Sequence, residues 1–192
     1  MRAPLAELLE SLAGTFAGPA PLPRAAFRAA RKAGWAGSRL QGALDRLLQA
    51  PGLDLTEAYA DAFLVNCWHP VLHLEASAHR AGHLCDEAVL GRREAFHAAL
   101  GFRPSPKRSP DHLATDLEAL AFGLRRLAER GGSPELEASL RGFLEADLLP
   151  DLRVLQALAQ DRPLSPAYAA ALEVVEALAL ELLEGMAPVP GE

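Results

Sequence analysis

The sequence predicts an all-α protein, a single compact bundle of about nine to ten helices. Three observations lead there. Apolar residues recur at helical spacing nearly everywhere. No stretch alternates valine, isoleucine and threonine as a half-buried strand would, and isoleucine is absent from the chain. The breaks between periodic segments are written with proline and glycine, which open and close helices respectively.

The first helix is expected from Pro4 to Ala17, carrying Leu5, Leu8, Leu9, Leu12 and Phe16 and ending at Gly18-Pro19. A second covers about Arg24 to Lys32, and a third, Ser38 to Gln49, buries Leu40, Leu44, Leu47 and Leu48. After Pro51-Gly52, Asp54 and Glu57 have capping-box spacing before a helix bearing Leu55, Tyr59, Phe63 and Leu64. Pro70 is read as opening a helix through about Ala81, followed by another from near Leu84 to Leu100. The stretch from Gly101 to Pro110 then holds Pro104, Pro106 and Pro110, and it is the best hinge in the sequence. It would divide an N-terminal lobe of about 1–100 from a C-terminal lobe of about 111–186. The second half is read as a helix from Asp111 to about Arg130 and two cap-then-proline starts at Ser133-Pro134 and Ser165-Pro166. A frayed tail at 187–192 ends it.

With 192 residues, half of them hydrophobic, the chain can bury one sizeable core. Its net charge of −6 argues against nucleic acid as the main partner and leaves a basic peptide or a neutral protein surface. Cys67 and Cys85 form no Cys-x-x-Cys motif and read as reduced core residues. Glu7 and Glu10 interrupt the apolar stretch a signal peptide needs, and no segment reaches the ~18 uncharged apolar residues of a membrane span. A cytoplasmic location is expected.

Phosphate-binding glycine loops and a serine nucleophile elbow are both missing. The histidines carry the one alternative that would be an enzyme. His69 and His73 stand four apart, as do His79 and His83, with Cys85 and Asp86 nearby, a spacing that can bring two imidazoles to one metal. Pro70 and Gly82 interrupt the two pairs, which favours surface or capping histidines over a metal-dependent helical enzyme.

The helix after the hinge places Leu113, Leu117, Leu120, Leu124 and Leu127 on one stripe. Opposite fall Asp111, Thr115, Glu118 and Phe122, with His112 and Asp116 on the flank. Asp111 suits an N-cap and Pro110 fixes the approach to it. An aromatic on the polar face suggests a helix covered on both sides, or one that borders a groove.

Pro110-Asp111-His112-Leu113, followed by Asp116-Leu117-Glu118, resembles the signature of the TorD/DmsD/NarJ family. Tyr59 and Phe63 look like that family's aromatic pair, and Leu72-His73-Leu74-Glu75 looks closer to its nitrate-reductase branch than to the branch with a Pro-Tyr-Glu-Ser segment. The resemblance covers about residues 55 to 127. It implies an all-helical cytoplasmic chaperone, not an enzyme and without a cofactor. Such a chaperone binds the N-terminal region or twin-arginine signal peptide of a molybdopterin oxidoreductase catalytic subunit until its cofactor is inserted. The client could reduce nitrate, a sulfur compound, or an N- or S-oxide such as TMAO or DMSO.

An arginine pair presents forked donors that carboxylates accept bidentately. Client-peptide binding is therefore expected from Glu75, Asp111, Asp116 and Glu118, with His112 as a hydrogen-bonding neighbour, Tyr59 and Phe63 as groove walls and Phe122 beside them. The hinge residues Gly101, Pro104, Pro106 and Pro110 would let the lobes adjust around the client or exchange between protomers, giving a monomer or a domain-swapped dimer. A helical adaptor with another client is the remaining alternative.

Overall fold

A computed structural model describes residues 2–33, 37–50, 59, 62–63, 72–82, 84–129, 133–161 and 164–186. The helices are α1 (Arg2–Ala17), α2 (Arg24–Lys32), α3 (Ser38–Gln49), α4 (Ala76–Arg80), α5 (Glu87–Leu100), α6 (Leu113–Glu129), α7 (Pro134–Phe143), α8 (Leu149–Asp161) and α9 (Pro166–Glu184). A π-helical turn, Leu144–Leu148, joins α7 to α8 without a break, so the described residues form eight continuous rods where about nine to ten helices were expected of the chain. Among the described residues there is no strand, and the capping box at Asp54 and Glu57 lies outside them.

The centre of the molecule is α6. Its leucine stripe is buried throughout, and so are Ala114, Thr115, Asp116, Ala119 and Ala121 on its other sides, so it is covered nearly all round. Such a helix must be enclosed by neighbours. Here α1 lies along it, α5 and α7 flank it, and α9 packs between α3 and α8. Phe16 of α1, Leu44 of α3, Leu120 of α6 and Leu178 of α9 belong to one continuous apolar core. Helices from before and after the proline-rich segment thus share a single interior.

Close approach at the crossing of α6 and α7 depends on Gly123. A Cβ there would lie 2.7 Å from Leu140 Cδ2 and 3.3 Å from Leu100 Cδ2, closer than carbon atoms pack.

Four local readings need correction. Cys85, read as a core residue, is exposed. The helix read from Pro70, itself outside the described residues, through Ala81 is not continuous: residues 72–74 are non-helical, Glu75 forms an isolated antiparallel bridge with His112, and α4 begins at Ala76. Asp111 does not cap the helix it precedes. The Ala114 N–H is instead accepted by His112 Nδ1 at 3.1 Å, while Asp111 Oδ2 accepts the Ser77 N–H of α4 at 2.8 Å. Ser165 caps with its backbone carbonyl and makes no side-chain cap bond, unlike Ser133, whose hydroxyl accepts the Leu136 N–H at 3.4 Å.

The segment from Gly101 begins as a helix stop. Gly101 has φ 67°, its N–H reaches Ala98 O, and the Phe102 N–H reaches His97 O at 2.9 Å, the paired bonds of a Schellman ending. Beyond it Phe102 packs on Phe122, with ring centroids 5.7 Å apart, and the Thr115 hydroxyl donates to Ser109 O at 3.0 Å.

Candidate functional site

Two backbone hydrogen bonds bring the leucine-rich middle segment against the start of α6. Leu113 N–H donates to Leu74 O at 2.9 Å and Ala76 N–H to Asp111 O at 3.0 Å, which makes Glu75 and His112 direct cross-bridge neighbours. The Leu72 N–H donates to Ala62 O at 3.1 Å and ties Ala62 and its neighbour Phe63 to the same place.

Around this junction Tyr59, Glu75, His112, Glu118 and Arg108 form one electrostatic cluster. Arg108 Nη2 donates to Glu118 Oε1 at 2.5 Å, and Glu75 Oε2 lies 3.7 Å from His73 Nδ1. Burial pushes the Tyr59 phenol up, and the Glu75 carboxylate pushes it further. Burial lowers the His112 imidazole against the opposing pull of Glu75, so it is held neutral. With Nδ1 accepting from Ala114, its proton belongs on Nε2. Tyr59 and Phe63 lie 5.0 Å apart, and both contact Tyr168 of α9, an apolar wall beside the carboxylates.

Of the eight residues expected to bind a peptide, Tyr59, Phe63, Glu75, His112 and Glu118 come together here. The other three go elsewhere. Asp111 is buried beneath the bridge. Burial would raise its carboxyl, but hydrogen bonds from Ser109 and from the side chain and backbone of Ser77 hold it below the usual carboxylate range. Phe122 sits one turn beyond Glu118, against Phe102.

Asp116 points inward to a buried ionic cluster that sequence reasoning missed. Arg93 of α5, wholly buried, has its Nε 3.2 Å from Asp116 Oδ1 and its Nη1 3.0 Å from Asp147 Oδ1, and it donates to Asp151. Its guanidinium lies 4.8 Å from the centroid of Phe143. Arg80 of α4 also donates to Asp151 and reaches Asp147 at 3.2 Å, while His79 Nε2 lies 3.5 Å from Asp151. Asp147 is in the π turn and Asp151 follows one turn later, so the turn sets both carboxylates toward α4 and α5. Arg92, more exposed, brings its Nε to 3.4 Å from Asp147 Oδ1, so three guanidiniums face three carboxylates. Burial, aided by Asp151, Asp111 and Asp147 and opposed by Arg93, pushes Asp116 up to about 8, which leaves it protonated near neutrality. The only trace of this cluster in the sequence is the pair Asp147 and Asp151 at i, i+4; their partners lie 54 or more positions earlier and cannot be chosen by spacing.

The histidine alternative gains no support from these positions. His73 faces Glu75 and His79 faces Asp151, and no group of three or more metal-ligating side chains is gathered among the described residues, which do not include His69 or His83. A separate hollow of about 430 Å³ between α3, α8 and α9 holds Arg46 paired with Glu173 at 2.6 Å.

At the junction the half-buried carboxylates of Glu75 and Glu118 both act on His112, next to the aromatic pair Tyr59 and Phe63. Among the described residues no helix is long and apolar enough to cross a membrane. Compared with known protein families, residues 28–153 match the model described as nitrate reductase delta subunit, a span containing the bridge, the five clustered residues and the Arg93 network. No curated protein and no solved structure matches the chain.

Proposed function

Because the chain belongs to the nitrate reductase delta subunit family, a family of molybdoenzyme maturation chaperones, we propose that it binds the N-terminal region of a molybdopterin-dependent catalytic subunit at the Glu75–His112 junction. The carrying observation is the meeting of Glu75, Glu118, His112, Tyr59 and Phe63 from three separate segments of chain at one place. Glu75 and Glu118 accept guanidinium donors, and the Tyr59–Phe63 wall takes the apolar part of the peptide. The protein acts in the cytoplasm, holding the subunit until its cofactor is in place, and performs no catalysis itself. A nitrate reductase is the first client to test, with or without a twin-arginine signal. Asp111 supports the site by fixing the bridge, and Asp116 by closing the Arg93 cluster beneath it; neither needs to touch the client.

Calorimetry with N-terminal peptides and intact catalytic subunits of molybdoenzymes tests this. Micromolar or tighter binding is expected, weakened by salt. Glu75→Gln should weaken it about tenfold, the worth of a charged hydrogen bond. Absence of binding across peptides and subunits alike would end the proposal.

A further inference from the structure

We propose that Arg108 is an internal placeholder for a client guanidinium, occupying Glu118 until an arginine of the bound peptide displaces it. This rests on the client-binding reading above and adds a specificity device to that site.

Arg108 is carried by the proline-rich segment, not by a helix, in a turn closed by its N–H to Ser105 O at 3.2 Å. Its guanidinium reaches Glu118 Oε1 through Nη2 alone; Nη1 is shut off from water and has no hydrogen-bond partner. Half of the fork is therefore idle in a site where an arginine and a carboxylate can make two parallel bonds. The pair is half-buried, with side chains 19% and 32% exposed, so both groups border solvent, and an Arg108 displaced into it would give its idle Nη1 a water partner. Arg108 also lies within the electrostatic reach of Tyr59 and His112, the groups that line the junction.

Charge arithmetic makes the consequence specific. With Arg108 in place, Glu75 and Glu118 together present one uncompensated negative charge; with it displaced they present two. A client lysine gains a point contact at Glu118 no better than the one it breaks. A client arginine replaces a single bond with a bidentate one and leaves Arg108 hydrated. The exchange thus favours arginine over lysine and penalises peptides that bring no cation to Glu118.

The test is calorimetry of the full chain with an arginine-bearing N-terminal peptide and its Arg→Lys counterpart. Arg108→Gln should tighten arginine-peptide binding roughly twofold to fivefold, the worth of a partly exposed ion pair, and narrow the discrimination against lysine. Glu118→Gln should cost more affinity in the Arg108→Gln background than in the wild type, because only there is the carboxylate already free. Arg108→Ala, with far-UV circular dichroism on both variants, guards against a folding effect of one substitution. Unchanged or weaker binding by both variants overturns the placeholder, since Arg108 would then be an ordinary surface ion or a client contact. In that case a loss on Glu75→Gln would still uphold the site itself. Failure of every variant and the wild type to bind would overturn both.

Discussion

Asp111 accepts the Ser77 N–H and the Ser109 hydroxyl while almost wholly out of water, so its carboxylate fastens α4 to the start of α6. Asp111→Ala would leave the Ser77 N–H unpaired in that setting and should cost about 1–3 kcal/mol in urea unfolding. Asp111→Asn keeps an acceptor oxygen and should lose less; equal loss by both would show that the charge alone matters. The sequence made Asp111, His112 and Asp116 conspicuous, because polar groups beside a leucine stripe need a reason. It could not give the reasons, since Ser77 lies 34 positions from Asp111 and Arg93 lies on another helix. Asp116 yields a pH prediction. Its pKa rises from 3.8 unfolded to about 8 folded, so the native state holds the extra proton between those values. That stabilisation is whole below the lower value and is lost as pH rises through the upper one. His97 runs the other way: burial, with Arg93 beside it, lowers it to about 4, and its contribution is lost only as pH falls from 6.5 toward 4. Between about pH 6.5 and 8 the Asp116 loss is therefore uncompensated by His97, and stability should fall by on the order of 1 kcal/mol per pH unit. Asp116→Asn should flatten that fall in thermal melts across the window. A slope unchanged by the substitution would place the titration elsewhere.

At the scale of elements, periodicity located the helices well wherever one face alone is apolar. The bounds expected for α2 and α3 agree with those observed, and the leucine stripe of α6 is buried at every position. It failed where tertiary pairing overrides local pattern. Leu72 to Glu75 reads as helix after Pro70, yet its backbone pairs with the segment before α6, and a partner so distant leaves no trace in spacing. The π turn is likewise invisible, because inserting one residue into a helical register changes which face Asp147 shows without changing composition. Gly123 belongs to this scale too. Gly123→Ala gains helix propensity of up to about 1 kcal/mol, but its methyl meets Leu140, itself wholly buried, at 2.7 Å. Overpacking of this kind costs about 1–3 kcal/mol, so a net loss is expected in chemical denaturation. Leu140→Ala opens space for the methyl, and the double variant should be less destabilised than the sum of the singles. Simple additivity would mean that α6 and α7 separate freely to admit the methyl.

For the whole molecule, the proline-rich segment suggests two lobes when read as sequence, while the side chains assemble one interior. Among the described helices α1 packs along α6 and α3 packs on α9, so each contact pairs an element before the segment with one after it. Composition signals a break in helical pattern but says nothing of what the flanking helices bury against, which is why the segment was legible and its consequence was not. Its own anchors are Phe102 on Phe122, Ser109 O on Thr115 and Arg108 on Glu118, all on the face of α6 opposite the leucine stripe. A core divided between the two halves of the chain must melt as one unit, because neither half retains a closed apolar surface once the other leaves. Calorimetric and van't Hoff enthalpies of unfolding should therefore agree. The same reasoning fixes the outcome of cutting the chain: a protease site inserted at Pro106-Lys107, both exposed, should yield two fragments that remain associated on size exclusion and separate only in denaturant. Two fragments that elute apart, each with native helicity by circular dichroism, would show independent lobes and return the segment to the role of a hinge.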